Sequence, residues 1–236
     1  MEDAPPTLPA PIDRTYHHGD LRNALIEAGL KALAHQEAGE LSLRALAREL
    51  GVSANAVYRH FESKEALLSA LAAEGFRRFA RSQADARNDT VSGEVATGLA
   101  YVRFAQLNPA LFRLMFGGFV HAGQGGELQG AATEAFAGLL QDSMAPGQRV
   151  GEGPIDEATL MRALARWSLV HGLSHLLLEG QLGLFGADPQ GLIPAVLRAS
   201  GMASGMASGV ASGVAQPGQA RSAKAQTGKP SRKASS

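Results

Sequence analysis

From Leu21 onward apolar residues recur at helical rather than strand spacing, and that pattern predicts a succession of helices. Leu21, Leu25, Ala28, Leu30 and Leu33 form the first stripe, with Asp20 as its cap. The stretch from Leu41 to Phe61, LSLRALARELGVSANAVYRHF, holds two short helices in succession. Ser42 caps the first, and Leu41 is placed to pack on Leu46 as a hydrophobic staple. Gly51 ends that helix, because a residue without a Cβ takes the left-handed conformation at no steric cost. Ser53 then caps the second, with Val52 and Val57 as its staple. The expected product is a helix-turn-helix, its helices crossing at roughly 90–120°.

A longer helix should begin after Ser63 and run to about Ala84, with Leu67, Leu68, Leu71, Phe76 and Phe79 on its apolar face. It is placed to pack on the first three helices at one end and on the rest of the chain at the other, as a lever would. Beyond Val91 every signal is helical: Val95 to Leu107, a break at Asn108-Pro109, Ala110 to Phe116, Glu127 to Met144, Ile155 to Gln181 and Gln190 to Arg198, the last weakened by Pro194. Loops at 121–126 and 145–154 separate them, and the second is not followed by the Gly-Lys-Ser/Thr of a phosphate-binding loop. The fold class is therefore all-α. Its expected parts are an arm over residues 1–13, a three-helix head over 14–67, a helical body over 68–200 and a low-complexity basic tail over 201–236.

Helical spacing sorts the second helix of the pair into faces. Val57 and Phe61 turn inward, while Ala54, Asn55, Tyr58 and Arg59 span the opposite arc. Asn pairs bidentately with adenine and Arg with guanine, and a small Ala lets the helix approach base edges or meet a thymine methyl. Tyr58 and His60 are better placed for phosphate oxygens, together with the helix N-termini. The plainer alternative is a helical hairpin with a solvated face. The flanking residues decide between them: Tyr16-His17-His18-Gly19-Asp20-Leu21-Arg22, the Gly51-Val52-Ser53 turn, Tyr58-Arg59-His60-Phe61 and Ser63-Lys64-Glu65-Ala66-Leu67-Leu68 together resemble the TetR-type transcriptional regulators over Tyr16 to Phe79. The resemblance implies phosphate contacts at Ser42, Arg44, Tyr58, His60 and Lys64, base reading by Ala54, Asn55 and Arg59 at the Ser53-capped helix start, and a place beside phosphate for His17 and His18. A metal role for His17 and His18 has less support, since adjacent side chains point different ways.

Five aromatic residues, Tyr101, Phe104, Phe112, Phe116 and Phe119, crowd into one short stretch. Such density builds either core or the wall of a ligand cavity, for which Arg103, Arg113 and His121 offer polar groups. From Trp167 to Leu178 no residue is charged, so this helix should be buried on all sides, with a twin subunit on the face its own chain leaves open. Trp167-Ser-Leu-Val-His171-Gly172 also resembles a motif of a TetR-type ligand-binding domain named for Trp-His-Gly. Gly172 is costly in mid-helix, by roughly 1 kcal/mol relative to Ala, and points to a close helix contact. The resulting expectation is a ligand pocket at Arg103, Phe104, Phe112, Phe116, Phe119, Trp167 and His171, and a dimer seam at Gly172, His175 and Leu176. His171 and His175 have zinc-ligand spacing, but a zinc protease needs Glu where Gly172 stands; hydrogen-bonding buried histidines are the simpler reading, and a metal-dependent hydrolase the minor one.

Composition sets limits on function. The 236 residues, 45% of them hydrophobic, support a sizeable core, and without cysteine there is no disulfide, thiol nucleophile or thiolate metal site. The opening is acidic and Pro-rich, unlike a secretory leader, and no apolar run is long enough to span a bilayer, so a cytoplasmic protein is expected. The net charge of zero hides a basic head and tail around an acidic middle, compatible with DNA binding because only the face that meets phosphate must be positive. The sequence therefore predicts a non-enzymatic, cofactor-free regulator. It would bind palindromic double-stranded DNA as a homodimer and leave it when a small, largely apolar effector enters the body. An architectural DNA-binding protein without an effector is the alternative.

Overall fold

The computed structural model describes residues 21–88, 95–117, 126–145, 147–186 and 188–201. The arm, His17, His18, the Asp20 cap, Phe119, His121 and the tail beyond Gly201 lie outside them. The helices are α1 (Leu21–Ala32), α2 (Leu43–Glu49), α3 (Ala54–Tyr58), α4 (Lys64–Asn88), α5 (Ala96–Leu107), α6 (Pro109–Phe116), α7 (Glu127–Gln141), α8 (Glu157–Leu178) and α9 (Pro189–Ala199), with 3-10 turns at Ala38–Glu40 and Gln181–Phe185. Among the described residues there is no strand.

Local chemistry sets the boundaries of the head. The hydroxyls of Ser42 and Ser53 accept from the N–H groups of Ala45 and Ala56, at 3.4 and 3.2 Å. Gly51 takes φ 69°, and the N–H groups of Gly51 and Val52 return to the carbonyls of Arg48 and Ala47, which closes α2 with a Schellman turn. Leu25, Leu46, Val57 and Phe61 fill the small core that α1 to α3 enclose. The α3 helix stops at Tyr58, and a tightened last turn, with His60 and Phe61 both donating to the Val57 carbonyl, carries Phe61 into that core.

The lever helix, α4, is four residues longer than the sequence pattern implies and spans roughly 37 Å. It packs on α1 at one end and along α5, α6 and α7 over the rest of its length. Two glycines allow close approach: a Cβ on Gly29 would stand 2.9 Å from Leu71, and one on Gly75 would stand 2.7 Å from the Met115 sulfur. The buried core consequently runs unbroken from the head through α4 into the body.

Two body helices, α7 and α8, are shorter than their periodicity implies. The α8 helix starts at Glu157 because Asp156 caps it, accepting from the Thr159 N–H at 2.8 Å. It ends at Leu178, before Gly180 at φ 69°. The α7 helix ends at Gln141, where Arg166 and Arg162 of α8 take the Asp142 and Ser143 carbonyls, the latter at 3.1 Å.

Burial of α8 is one-sided within the chain. Thr159, Ala163, Val170, Leu173 and Ser174 face inward, whereas Leu160, Met161 and Leu164 are 43%, 53% and 42% exposed. Among the described residues nothing lies within 4 Å of where a Gly172 Cβ would be, so they do not make the expected close contact.

Candidate DNA interface and ligand cavity

The short α3 helix presents Asn55, Tyr58 and Arg59 to solvent, with Ala54 and His60 half-exposed beside them. Tyr58 is 44% exposed, so its ring and hydroxyl are open to a partner. Ser42 and Arg44 are exposed at the start of α2, adjoining the same surface through the α2–α3 packing. Lys64 is half-exposed, and its ammonium donates to the Gly39 carbonyl, bracing the start of α4 against the 3-10 turn.

Ion pairs join head and body. Glu127 at the start of α7 receives Arg22 of α1 and Arg77 of α4, both at 2.6 Å. Burial pushes its carboxyl up, but the two guanidiniums outweigh this and hold it below the usual carboxylate range. Glu74 likewise collects Arg77, Arg78 and Arg81, Arg78 reaches Glu27 at 2.5 Å, and Arg113 of α6 meets Glu37 at 2.8 Å. Most of these partners are partly exposed, so the pairs fix orientation more than they add stability. Arg77, Arg78 and Arg87 of α4 are thus each tied to a carboxylate outside their own helix.

A partly open cavity of about 270 Å³ lies between α4, α5, α6, α7 and α8. Phe76, Phe79, Tyr101, Phe116, Phe136 and Trp167 supply its aromatic walls; Gln83, Arg87, Asp142 and Arg166 supply its polar groups. Of the pocket residues expected from sequence, Phe116 and Trp167 line it. Arg103 does not: it is exposed on the far side of α5, beside Pro189 and Gln190 of α9. Phe104 and Phe112 are core, Phe104 set edge-on to Phe79 and Phe112 fully buried. Arg113 faces the head, away from the cavity. The pattern that could have found the missed wall is Phe76, Phe79, Gln83 and Arg87, spaced three, four and four apart on one face of α4.

Behind the Trp167 wall lies a hydrogen-bonded chain. The Trp167 indole donates to the Tyr101 hydroxyl at 3.2 Å, that hydroxyl meets His171 Nδ1 at 3.0 Å, and His171 Nε2 meets His175 Nε2 at 3.2 Å. The indole N–H occupies one lone pair of the phenol oxygen, and the phenol and His171 Nδ1 share one proton between them, the direction following the imidazole tautomer. His175 is exposed rather than buried as expected. Among the described residues no set of three His, Asp or Glu side chains is grouped to hold a metal ion.

Burial, and then the neighbouring His175, hold the His171 imidazole below its ordinary range. The unfolded imidazole takes its proton near 6.5, the folded one only at lower pH, so stability is lost as pH falls through that window. Melting temperature should fall between about pH 7.5 and about pH 5.5. The drop should be smaller in His171→Asn, and equal drops in both proteins would assign it to other groups.

A helix-turn-helix head packed through α4 against a larger helical body is the architecture of a class of DNA-binding regulators. Residues 25–71 match the family described as bacterial regulatory proteins, tetR family, and residues 95–200 match the tetracyclin repressor-like C-terminal domain. The HTH-type transcriptional regulators Rv1816 of Mycobacterium tuberculosis and Mb1846 of Mycobacterium bovis are each 29% identical over 194 residues, covering 70% of this chain and 82% of theirs. A solved structure of a protein of unknown function from Rhodococcus sp. RHA1 is 32% identical, with a TM-score of 0.65 over 79% of this chain and 96% of that one. The chain belongs to the TetR family and is a DNA-binding transcriptional regulator. Among the described residues no helix is long and apolar enough to cross a membrane.

Proposed function

We propose that this regulator is a homodimeric repressor that holds a palindromic operator and is released from it by a small, largely apolar ligand. The observation that carries the reading is the cavity, because α4 supplies part of its wall and also packs against the reading head. A ligand that fits one arrangement of α4 to α8 better than another moves the head by the same packing. A difference of about 3 kcal/mol lowers operator affinity more than 100-fold. The cavity lies just below the roughly 300–1,000 Å³ of sites for drug-sized molecules, so a compact ligand fits it.

In this reading Ser42, Arg44, Tyr58, His60 and Lys64 hold phosphates, with His17 and His18 near the backbone, and Ser53, by capping α3, sets the approach of Ala54, Asn55 and Arg59 to bases. A single reading helix discriminates by about 1–3 kcal/mol per base contact, so two heads are needed to select one site. The exposed apolar arc of α8 supplies the seam: Gly172, His175 and Leu176 lie on the same outward arc as Leu160, Met161 and Leu164.

The test is selection from random duplex DNA by the purified protein, followed by binding to the selected sequence with and without small molecules. Tyr58→Phe should weaken all sequences nearly alike, whereas Asn55→Ala should relax preference at one position in each half-site by about 1–3 kcal/mol. Uniform weakening by Asn55→Ala would move base reading to another residue. Tight selection without any effector response would favour a constitutive architectural role.

A further inference from the structure

The two ends of the cavity differ in chemistry. One is walled by aromatic rings; the other holds Arg87, Asp142 and Arg166. Arg87 Nε donates to Asp142 Oδ1 at 2.7 Å. Arg166 donates to the Asp142 backbone carbonyl, and among the described residues no carboxylate forms an ion pair with it. Among the described residues two guanidiniums thus face one carboxylate, an excess of one positive charge in a recess whose walls are mostly apolar. The seat of Arg87 is shaped for it: the α7 position it lies against is Gly138, where a Cβ would collide with its Nη2.

A neutral apolar occupant would seal the Arg166 charge away from water without a counterion, at a cost in desolvation. A carboxylate supplies that counterion in the planar, two-point geometry that guanidinium favours. We infer that the effector is a hydrophobic monocarboxylic acid, aryl or medium-chain alkyl, with its body among the rings and its carboxylate on Arg166. This rests on the cavity being the effector site and adds the chemical class. It also supplies a handle on the lever, because the incoming carboxylate competes with Asp142 for Arg87, one residue from the end of α4.

The only tryptophan of the chain, Trp167, stands in the cavity wall, so its fluorescence reports entry directly. The purified full-length chain is titrated with 4-phenylbutyrate, 2-naphthylacetate and decanoate, each against its uncharged primary amide. Saturable quenching is expected, the acids binding at least about tenfold more tightly than the amides. In Arg166→Gln, which keeps an N–H for the Asp142 carbonyl, that advantage should shrink to less than about threefold, while Arg166→Lys keeps part of it. Thermal melts establish that each variant folds; should Arg166→Gln not fold, the wild-type protein and Arg166→Lys decide. Amides that bind as well as acids, or an advantage untouched in a folded Arg166→Gln, overturn the carboxylate assignment and leave the effector site standing. If neither acids nor amides bind, the effector-site reading falls with it.

Discussion

Combining Met161→Glu with Leu164→Glu is expected to yield a monomer whose affinity for the two-half-site operator is at least about a hundredfold lower. Both side chains stand on the outward arc of α8, where about half of each is exposed although they are fully apolar. In a symmetric pair this arc meets its own copy, so each substitution removes apolar burial twice and places like charges across the seam. Burying a side chain of this size stabilises by roughly 1.5–3 kcal/mol, and two per subunit are enough to dissociate a seam of moderate size. The loss on DNA follows from effective concentration: joining two heads strengthens binding by about 10²–10⁴ without any new contact. Affinity for an isolated half-site should change less than about threefold, because α1 to α3 are untouched. Sedimentation combined with gel-shift titration on full and half sites reads both quantities. A variant that remains dimeric would place the seam elsewhere; a monomer with undiminished operator affinity would end the paired-head account.

Phe112→Ala is expected to destabilise the body by about 3–5 kcal/mol, a drop in melting temperature of roughly 6–20 °C. Phe112 has no exposure, and its ring centroid lies 4.8 Å from that of Phe116, 5.5 Å from His171, 5.6 Å from His175 and 6.0 Å from Tyr101. Truncation leaves a void on α6 that these rings, held by the Trp167–Tyr101–His171 hydrogen bonds, cannot collapse to fill. Phe112→Leu should cost much less, since most of the volume stays. Phe136→Ala is the contrast: that ring is only partly buried and lines the cavity, so its loss should act on ligand affinity more than on melting. If the two alanine variants melt alike, the division of this aromatic cluster into core and wall is wrong.

The helix-turn-helix of the head was legible because its determinants are local. A serine before an apolar stripe, a glycine after it and a hydrophobic staple act within one or two turns, and Ser42, Ser53 and Gly51 do in the structure what their chemistry requires of them. The helices of the body were legible for the same reason, apart from ends set by distant partners, such as the arginines of α8 that stop α7. The cavity was not legible. Aromatic density marked α5 and α6, yet Phe104 and Phe112 went to the core and Arg103 to the outer surface, while Phe76, Phe79, Gln83 and Arg87 of α4 form the missing wall. Periodicity tells which residues of a helix share a face, but not which of several apolar neighbours that face will meet.

The amino-acid sequence alone was enough for an all-helical chain, a helix-turn-helix with its caps and a long fourth helix, all of which rest on spacings of a few residues, and its motifs carried the resemblance to a family of DNA-binding regulators. Only the tertiary structure decided that Arg87, Asp142 and Arg166, up to 79 positions apart, share one end of a cavity, and that α8 keeps an apolar arc bare. Those outcomes depend on how α4, α5, α7 and α8 pack against one another. Packing is a property of shape and volume summed over the whole body, and no single stretch of the chain carries it.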